Sequence, residues 1–182
     1  MIYLQNETCL AKGTERALYQ HPEHQDQGIK IYWHRRRRRN DSNNEWQYSL
    51  SLGPCDCVAC PIKWVETDLG KGLVVPLIRD ADGTISKTLQ DVIDEQLMTK
   101  TEISNGLLAF KKELLNHAVS VTDVAPSNIM CQLGLDKKLQ RLVLVDGFGY
   151  SHFFSISKLL PSVSRRKTLR RFNRMFAKHI EL

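Results

Sequence analysis

The chain has 182 residues, of which 42% are apolar and 25% are charged, and its formal net charge is +6. This apolar fraction is enough for a folded core, so the composition excludes a disordered tail and suits one domain or two small lobes. No run approaches the roughly 20 apolar residues that span a bilayer, and the N-terminus lacks the basic flank and apolar stretch of a signal peptide. We therefore expect a cytoplasmic protein without a transmembrane segment.

Strands are predicted to dominate residues 1–80, because short apolar or aromatic segments there are bounded by Gly, Pro and charged residues. The predicted strands are Cys9–Ala11, Glu15–Gln20, Ile29–Trp33, Ile62–Glu66 and Gly72–Ile78. Between the third and fourth strands, Ser42–Leu52 is predicted to be a helix. Asp41 or Ser42 is a suitable N-cap, and Glu45 follows Ser42 by three residues, as in a capping box.

Helices and one small hairpin are predicted for the rest of the chain. Residues 79–83, Arg-Asp-Ala-Asp-Gly, have the composition of a turn or linker. The predicted elements after it are helices over Ser86–Glu95 and Thr101–His117, strands over Ile129–Leu133 and Leu139–Val145, and a last helix over Ser162–Ile180. The apolar stripe of the second helix is Ile103, Leu107, Leu108, Phe110, Leu114 and Leu115. This order indicates an α+β protein with a strand-rich lobe, residues 1–79, and a helical lobe, residues 80–182.

The positive charge is concentrated in Arg35–Arg39 and Arg165–Lys178. Such blocks attract phosphate, nucleic acid or anionic lipid, but they also occur as solvated faces. The last segment carries an apolar stripe of Leu169, Phe172, Phe176 and Ile180. It either lies on an anionic surface or, as we favour, packs as a closing helix. No recognisable nucleic-acid motif accompanies the arginines, so we do not expect nucleic-acid binding.

Three of the five cysteines lie close together in the sequence, at Cys55, Cys57 and Cys60. The odd number and the clustering argue against a secreted disulfide framework and favour reduced thiols. A zinc site would need a fourth ligand, and Cys9 and Cys131 do not form a second close pair. A plain loop is the preferred interpretation, and a metal site is the alternative.

Two short motifs indicate a chemical function. Asp123 precedes Asn128 by five residues, and the segment Asp146-Gly-Phe-Gly follows the apolar run Leu142–Val145. This order and spacing are typical of the catalytic loop and the metal-binding loop of protein kinases. Asn128 and Asp146 are therefore candidate Mg²⁺ ligands, and Asp123 is a candidate catalytic residue that accepts or orients the acceptor hydroxyl.

Lys30 is the second candidate catalytic residue, because it lies between apolar neighbours where an unpaired ammonium is unfavourable. Its expected partners are a helix glutamate, Glu45, and the phosphates of a nucleotide. Taken singly, Asp123, Asn128 and Asp146 are better explained as turn-forming residues. Their occurrence together with Lys30, in this order and on these elements, favours nucleotide chemistry.

Several segments resemble the YrbL family, whose members are described as PhoP regulatory network proteins and are similar to protein kinases. The resemblance rests on Leu10–Glu23 with its His-Pro-Glu turn, Ile29–Ile31, Glu45-x-x-Tyr48 and Val65–Gly72 with its Val-Glu-Thr-Asp. It covers roughly residues 8–149. The resemblance implies a small bacterial protein with a kinase-like two-lobed fold and an association with envelope or metal-stress signalling.

The sequence departs from the protein-kinase pattern in the glycine-rich loop and around the catalytic aspartate. Of the glycine-rich loop only Gly13 remains, with Ala11 and Arg16 at the other two positions, so Arg16 is itself a candidate for contacting phosphate. Val121 replaces the histidine that precedes the catalytic aspartate, and Ala125 replaces the lysine that follows it.

The sequence thus predicts a kinase-like protein that binds ATP and Mg²⁺. The candidate nucleotide-binding residues are Gly13, Arg16, Lys30, Glu45, Leu77 and Asp80. Only 33 residues follow Gly149, so we expect a reduced helical lobe and a small hydroxylated acceptor in preference to a peptide. The alternative is a pseudokinase-type module that binds or regulates a partner without phosphoryl transfer.

Overall fold

The computed structural model describes residues 1–13, 16–32, 39–149 and 161–179, and the side chains of residues 39–42, 161, 163, 164 and 176–179 lie outside the description. The chain divides into two compact units, Met1–Gln47 with Cys60–Leu77 and Tyr48–Ala59 with Ile78–Leu182, and each is described by itself. The sequence-based boundary between residues 79 and 80 stays a prediction. The described residues form a mixed α and β structure with a strand-rich sheet and few helices.

The first unit contains a five-stranded antiparallel sheet. Its strands are β1 (Cys9–Lys12), β2 (Arg16–Gln20), β3 (Gln27–Tyr32), β4 (Lys63–Thr67) and β5 (Gly70–Pro76), in the spatial order β1-β2-β3-β5-β4. All five strands occur where the sequence predicts them, and their ends shift by one or two residues. Glu15 and Trp33, at two of the predicted ends, lie outside the described residues.

Strand β3 lies inside the sheet, between β2 and β5. Ile29 and Ile31 pack with Leu4 and Val74 in an apolar cluster on one face. Side chains alternate along a strand, so Lys30 projects from the opposite face, and it is nevertheless only 7% exposed. The sheet therefore holds a buried cation at its centre.

A helix, α1 (Arg39–Ser49), follows β3 in the chain after a segment outside the described residues, which includes Arg35–Arg38. Asp41 and Ser42 lie inside this helix, so the prediction that one of them is the N-cap was wrong. Glu45 is correspondingly not part of a capping box. Its side chain is buried in the first unit, at 4% exposure.

The second unit combines a three-stranded antiparallel sheet with helices. The strands are β6 (Lys87–Thr88), β7 (Ile129–Leu133) and β8 (Leu139–Leu144), and the helices are α2 (Leu89–Asp94), α3 (Lys100–Asn116) and α4 (Pro161–His179). Thr88 and Thr99 form capping boxes with Asp91 and Glu102, so they fix where α2 and α3 begin. Helix α2 is shorter than the predicted helix Ser86–Glu95, because Lys87 and Thr88 pair with β7.

Helix α4 packs on α3 and on the loop that follows α3. The rings of Phe110 and Phe172 lie 6.3 Å apart, and the Arg165 side chain donates to the Leu115 carbonyl oxygen at 2.9 Å. The apolar stripe predicted for α3 needs one correction, because Leu108 is 55% exposed. These contacts support the interpretation of the last segment as a closing helix. The Phe176 side chain and Ile180, both in its predicted stripe, lie outside the described residues.

None of the helices in the described part of the chain combines the length and the apolar character needed to cross a bilayer.

Candidate functional site

In the first unit, Lys30 and Glu45 form the predicted ion pair. Lys30 Nζ lies 3.0 Å from Glu45 Oε1, and the two side chains are only 9% and 5% exposed. Strand β3 positions the lysine, and the following helix α1 positions the glutamate. Each charge compensates the other in a place where a single charge would be strongly unfavourable.

Arg16 projects from the same face of the sheet as Lys30. It stands opposite Tyr32 in the β2–β3 register, and Tyr32 follows Lys30 by two residues. The Arg16 guanidinium lies 6.0 Å from the centre of the Tyr32 ring, and its Nη1 is 3.5 Å from the Tyr32 hydroxyl. Two cationic side chains therefore share one face, which suits an anionic ligand such as a phosphate group.

Gly13 lies at the end of β1, in the connection to β2. Its N–H donates to the Arg16 carbonyl oxygen at 2.8 Å. Thr14 and Glu15, which come between them in the sequence, lie outside the described part of the chain. The predicted roles of Gly13 and Arg16 in nucleotide binding stay predictions.

Leu77 and Asp80 fall in different units. The Leu77 N–H donates to the Asp26 carbonyl oxygen at 2.8 Å in the first unit. In the second unit, Asp80 Oδ1 accepts hydrogen bonds from the Ser86 hydroxyl at 2.6 Å and the Leu133 N–H at 2.9 Å. The Asp80 carboxylate thus organises the turn before β6, and its backbone N–H and carbonyl oxygen are also hydrogen-bonded within that turn, to Thr84 and Gly83. The predicted contact of Leu77 and Asp80 with nucleotide stays a prediction.

The second unit brings Asp123 and Asn128 into direct contact. The intervening Pro126–Asn128 segment forms a 3₁₀ turn, and the Asn128 side-chain amide donates to Asp123 Oδ2 at 3.2 Å. The Asn128 carbonyl oxygen accepts the N–H of Val145, the residue before Asp146, at 2.9 Å. The two predicted motifs are therefore adjacent within one unit, and Asp146 follows the end of β8.

Backbone pairing fixes the two motifs against each other. The Gly147 carbonyl oxygen accepts the N–H groups of Thr122 and Asp123 at 2.6 and 2.9 Å, and the Gly149 N–H donates to Ser120 at 2.8 Å. Gly147 has φ +75, and a Cβ atom there would lie 2.3 Å from the Asp123 carbonyl oxygen. Only glycine satisfies both the left-handed backbone and this close approach. Asp146-Gly147 thus docks against the segment Thr122–Asp123.

Sequence reasoning missed the side chains that support this loop. The Tyr48 hydroxyl accepts the Ser120 N–H at 2.7 Å, and the Thr168 hydroxyl donates to the Val119 carbonyl oxygen at 2.6 Å. Arg171 also donates to the Val121 carbonyl oxygen. The sequence drew attention to Tyr48 only as part of the Glu45-x-x-Tyr48 segment. Its hydrogen bond could not be predicted, because a bond to a backbone group 72 residues away leaves no pattern in the sequence.

The side chains of Asn128 and Asp146 suit a hard cation. Both are half-buried and offer amide and carboxylate oxygens, which Mg²⁺ prefers. Mg²⁺ is usually held by one or two carboxylates together with substrate phosphates and waters, so this small donor set suits a metal that arrives with a nucleotide. Among the described residues, which include Cys55, Cys57 and Cys60, no group of three or more His, Cys, Asp or Glu side chains could hold a metal ion.

Removing one partner of the buried ion pair should destabilise the first unit. We expect Lys30→Met to lower the free energy of unfolding by about 3 to 5 kcal/mol, because it leaves the Glu45 carboxylate buried without its cation. The Lys30→Met/Glu45→Leu double variant should recover much of this loss. Urea unfolding followed by circular dichroism measures the effect.

The control for this prediction is Lys87→Met, which breaks the exposed pair with Glu95 in the second unit. It should change the free energy of unfolding by no more than about 1 kcal/mol. Equal losses in Lys30→Met and Lys87→Met would contradict the assignment of a buried, mutually compensating pair.

Adding a methyl group at Gly147 should separate the two motifs. Gly147→Ala and the control Gly83→Ala both place alanine at a positive φ, which costs about 1 to 2 kcal/mol, but a Cβ at Gly83 meets no atom within 4 Å. Only Gly147→Ala should also speed amide hydrogen exchange at Thr122 and Asp123, measured by NMR. Unchanged exchange at these amides would show that the close approach is not required.

Comparisons with known proteins place the chain in a family. The family model for the PhoP regulatory network protein YrbL matches residues 2–180. The proteins called "Uncharacterized protein YrbL" from Escherichia coli (strain K12) and Shigella flexneri are each 28% identical over 184 residues, which covers 97% of this chain and 87% of theirs.

A solved structure also shares the fold. The crystal structure of WbdD matches with a TM-score of 0.55 and 16% sequence identity, over 94% of this chain and 38% of the WbdD chain. The chain therefore spans well under half of WbdD, and at this identity the likeness shows the fold alone. The family match, by contrast, extends over almost the whole sequence, and the chain belongs to the YrbL family of PhoP regulatory network proteins.

Proposed function

We propose that this protein has a kinase-like two-lobed fold and binds ATP together with Mg²⁺. The observation that carries the proposal is the 3.0 Å ion pair between Lys30, on the third strand, and Glu45, on the following helix. Protein kinases use a lysine on their third strand, paired with a helix glutamate, to hold the phosphates of ATP. The likeness to WbdD, which is kinase-like, supports the same proposal.

The phosphates and the metal would be served by separate sets of residues. Lys30 and Arg16, which share a face of the first sheet, would contact phosphate oxygens, with Gly13 in the adjoining connection. Asn128 and Asp146 in the second unit would hold Mg²⁺. When bound, Mg²⁺ neutralises charge on the phosphates.

The adenine would be contacted by the linker from Leu77 to Asp80. The carboxylate of Asp80 accepts hydrogen bonds from Ser86 and Leu133, so its role in the linker is structural. Glu45 orients Lys30 and does not itself need to contact nucleotide.

Phosphoryl transfer is the second part of the proposal and depends on Asp123. Its side chain is exposed, and the Asn128 amide orients its carboxylate, as suits a group that positions an acceptor hydroxyl. The proposed acceptor is a small hydroxylated molecule, and a protein acceptor is the other option. The family description supports a place in a regulatory network.

A second candidate function is a pseudokinase-type module that holds nucleotide and contacts a partner. The observation that favours it is the replacement of the usual histidine and lysine around Asp123 by Val121 and Ala125. Val121 is fully buried, so it belongs to the packing of the loop and not to a reacting surface.

Binding can be tested by isothermal calorimetry with ATP, in the presence and absence of Mg²⁺. We expect binding that requires Mg²⁺, and a loss of affinity of about tenfold or more in Asp146→Asn, because a charged metal ligand is removed. The control is Asp136→Asn, which removes the same charge from the turn between β7 and β8 and should bind as the unmodified protein does. Absence of ATP binding, or equal losses in the two variants, would refute the proposed metal site.

Transfer can be separated from binding by the Asp123→Asn variant. If Asp123 assists transfer, this variant should bind Mg²⁺ and ATP normally but release phosphate from ATP about 100 to 10,000-fold more slowly. Asp136→Asn again serves as the control. If the unmodified protein binds ATP and releases phosphate no faster than Asp123→Asn, the pseudokinase alternative is correct.

A further inference from the structure

Two cysteine side chains in the second unit are in direct contact. The sulfur atoms of Cys55 and Cys57 lie 2.9 Å apart, and both cysteines are free thiols. Cys55 is half-buried, whereas Cys57 is only 6% exposed. Cys55 is therefore the more accessible member of the pair.

The backbone on the C-terminal side of this pair is held against strand β8. The Cys57 carbonyl oxygen accepts the Leu144 N–H at 2.9 Å, and the Ala59 N–H donates to the Leu144 carbonyl oxygen at the same distance. These bonds fix the backbone of Cys57, and Cys55 precedes it by two residues.

The two thiols differ in acidity. The hydrogen bond from the Cys57 thiol lowers the pKa of Cys55 to about 6, with a smaller contribution from His117, while burial and Asp56 oppose this shift. The same hydrogen bond, burial and the negative charges of Cys55 and Glu113 raise the pKa of Cys57. Cys55 is therefore the more acidic thiol and Cys57 the one that retains its proton more strongly, as expected of an attacking and a resolving cysteine.

A cavity adjoins Cys57, the buried member of the pair. It has a volume of about 650 Å³ and is lined by residues that include Cys57, Glu113, His117 and Arg141. His117, in this lining, also favours the charged form of Cys55.

We propose that Cys55 and Cys57 form a peroxide-reactive dithiol, which is oxidised to an intrachain disulfide. The Cys55 thiolate attacks one oxygen of a hydroperoxide, the O–O bond breaks, and the leaving oxygen takes a proton to give water or an alcohol. The Cys57 sulfur then attacks the sulfenic acid of Cys55, forms the S–S bond and expels hydroxide, which takes the Cys57 proton to become water. Two thiols are oxidised and one peroxide is reduced. The proposal does not depend on nucleotide binding.

The natural chain allows a direct test without any substitution. The reduced full-length protein is treated with one equivalent of hydrogen peroxide, the remaining thiols are alkylated, and the protein is digested with a protease that cleaves before aspartate. Cleavage before Asp56 separates Asp41–Cys55 from Asp56–Thr67 unless a disulfide joins them. We expect the two peptides to remain joined until a reductant is added, and to remain joined in Cys60→Ser.

Two results would overturn the proposal. A disulfide between Cys57 and Cys60 would leave the Asp41–Cys55 peptide free, because both cysteines lie on the same peptide. Preferential oxidation of the exposed Cys9, with Cys55 still alkylated, would show that the pair is not the reactive site.

Two variants at Cys57 separate its two roles. Cys57→Ser keeps a hydrogen-bond donor but cannot form the disulfide, so peroxide should leave a sulfenic acid at Cys55 that dimedone labels. Cys57→Ala removes the donor as well, and dimedone labelling at pH 6.5 should be slower by about tenfold, since less Cys55 is thiolate. Equal labelling rates in the two variants would show that Cys57 does not activate Cys55.

Discussion

The buried ion pair between Lys30 and Glu45 is the interaction on which the first unit depends. An ammonium group at the centre of a covered sheet is tolerated only when a fixed anion compensates it. Glu45 meets this requirement at 3.0 Å, and the helix that carries it must consequently lie where the carboxylate can reach the third strand.

In the second unit, the corresponding constraint is the close approach of Gly147 to Asp123. The Gly147 carbonyl oxygen accepts the N–H groups of Thr122 and Asp123. Its backbone is left-handed, and the Asp123 carbonyl oxygen lies too close to leave room for a side chain. The segments that carry Asp123 and Asp146 are thereby aligned. Asn128 donates to Asp123 through its side-chain amide, and its carbonyl oxygen accepts the N–H of Val145, the residue before Asp146.

Much of this architecture could be predicted from the sequence, because the relevant signals are local. Apolar and aromatic segments bounded by Gly, Pro and charged residues located the strands of the first sheet, and strand β7 (Ile129–Leu133) was predicted with the correct ends. The pairing of Lys30 with Glu45 followed from the difficulty of burying a lysine alone. The beginning of α1 was not predicted, since Asp41 and Ser42 have the composition of caps but lie within the helix.

Other features depend on contacts that a single sequence does not display. The bond from the Ser120 N–H to the Tyr48 hydroxyl joins residues 72 positions apart, and a backbone donor has no residue type to recognise. Lys87 and Thr88 were assigned to a helix, although pairing with β7 makes them a strand. The Cys55–Cys57 contact was similarly hidden, because spacing alone does not distinguish a dithiol from a plain loop.

The central claim is that Asn128 and Asp146 hold a divalent cation that enters with ATP. A crystal structure of the protein with a non-hydrolysable ATP analogue and Mn²⁺ tests it most directly, because manganese is located by its anomalous scattering. The account predicts a manganese peak about 2.0 to 2.3 Å from an Asp146 carboxylate oxygen and the Asn128 amide oxygen, bridged to the analogue's phosphates. A bound analogue with manganese located away from both residues, or with no manganese peak, would contradict the account.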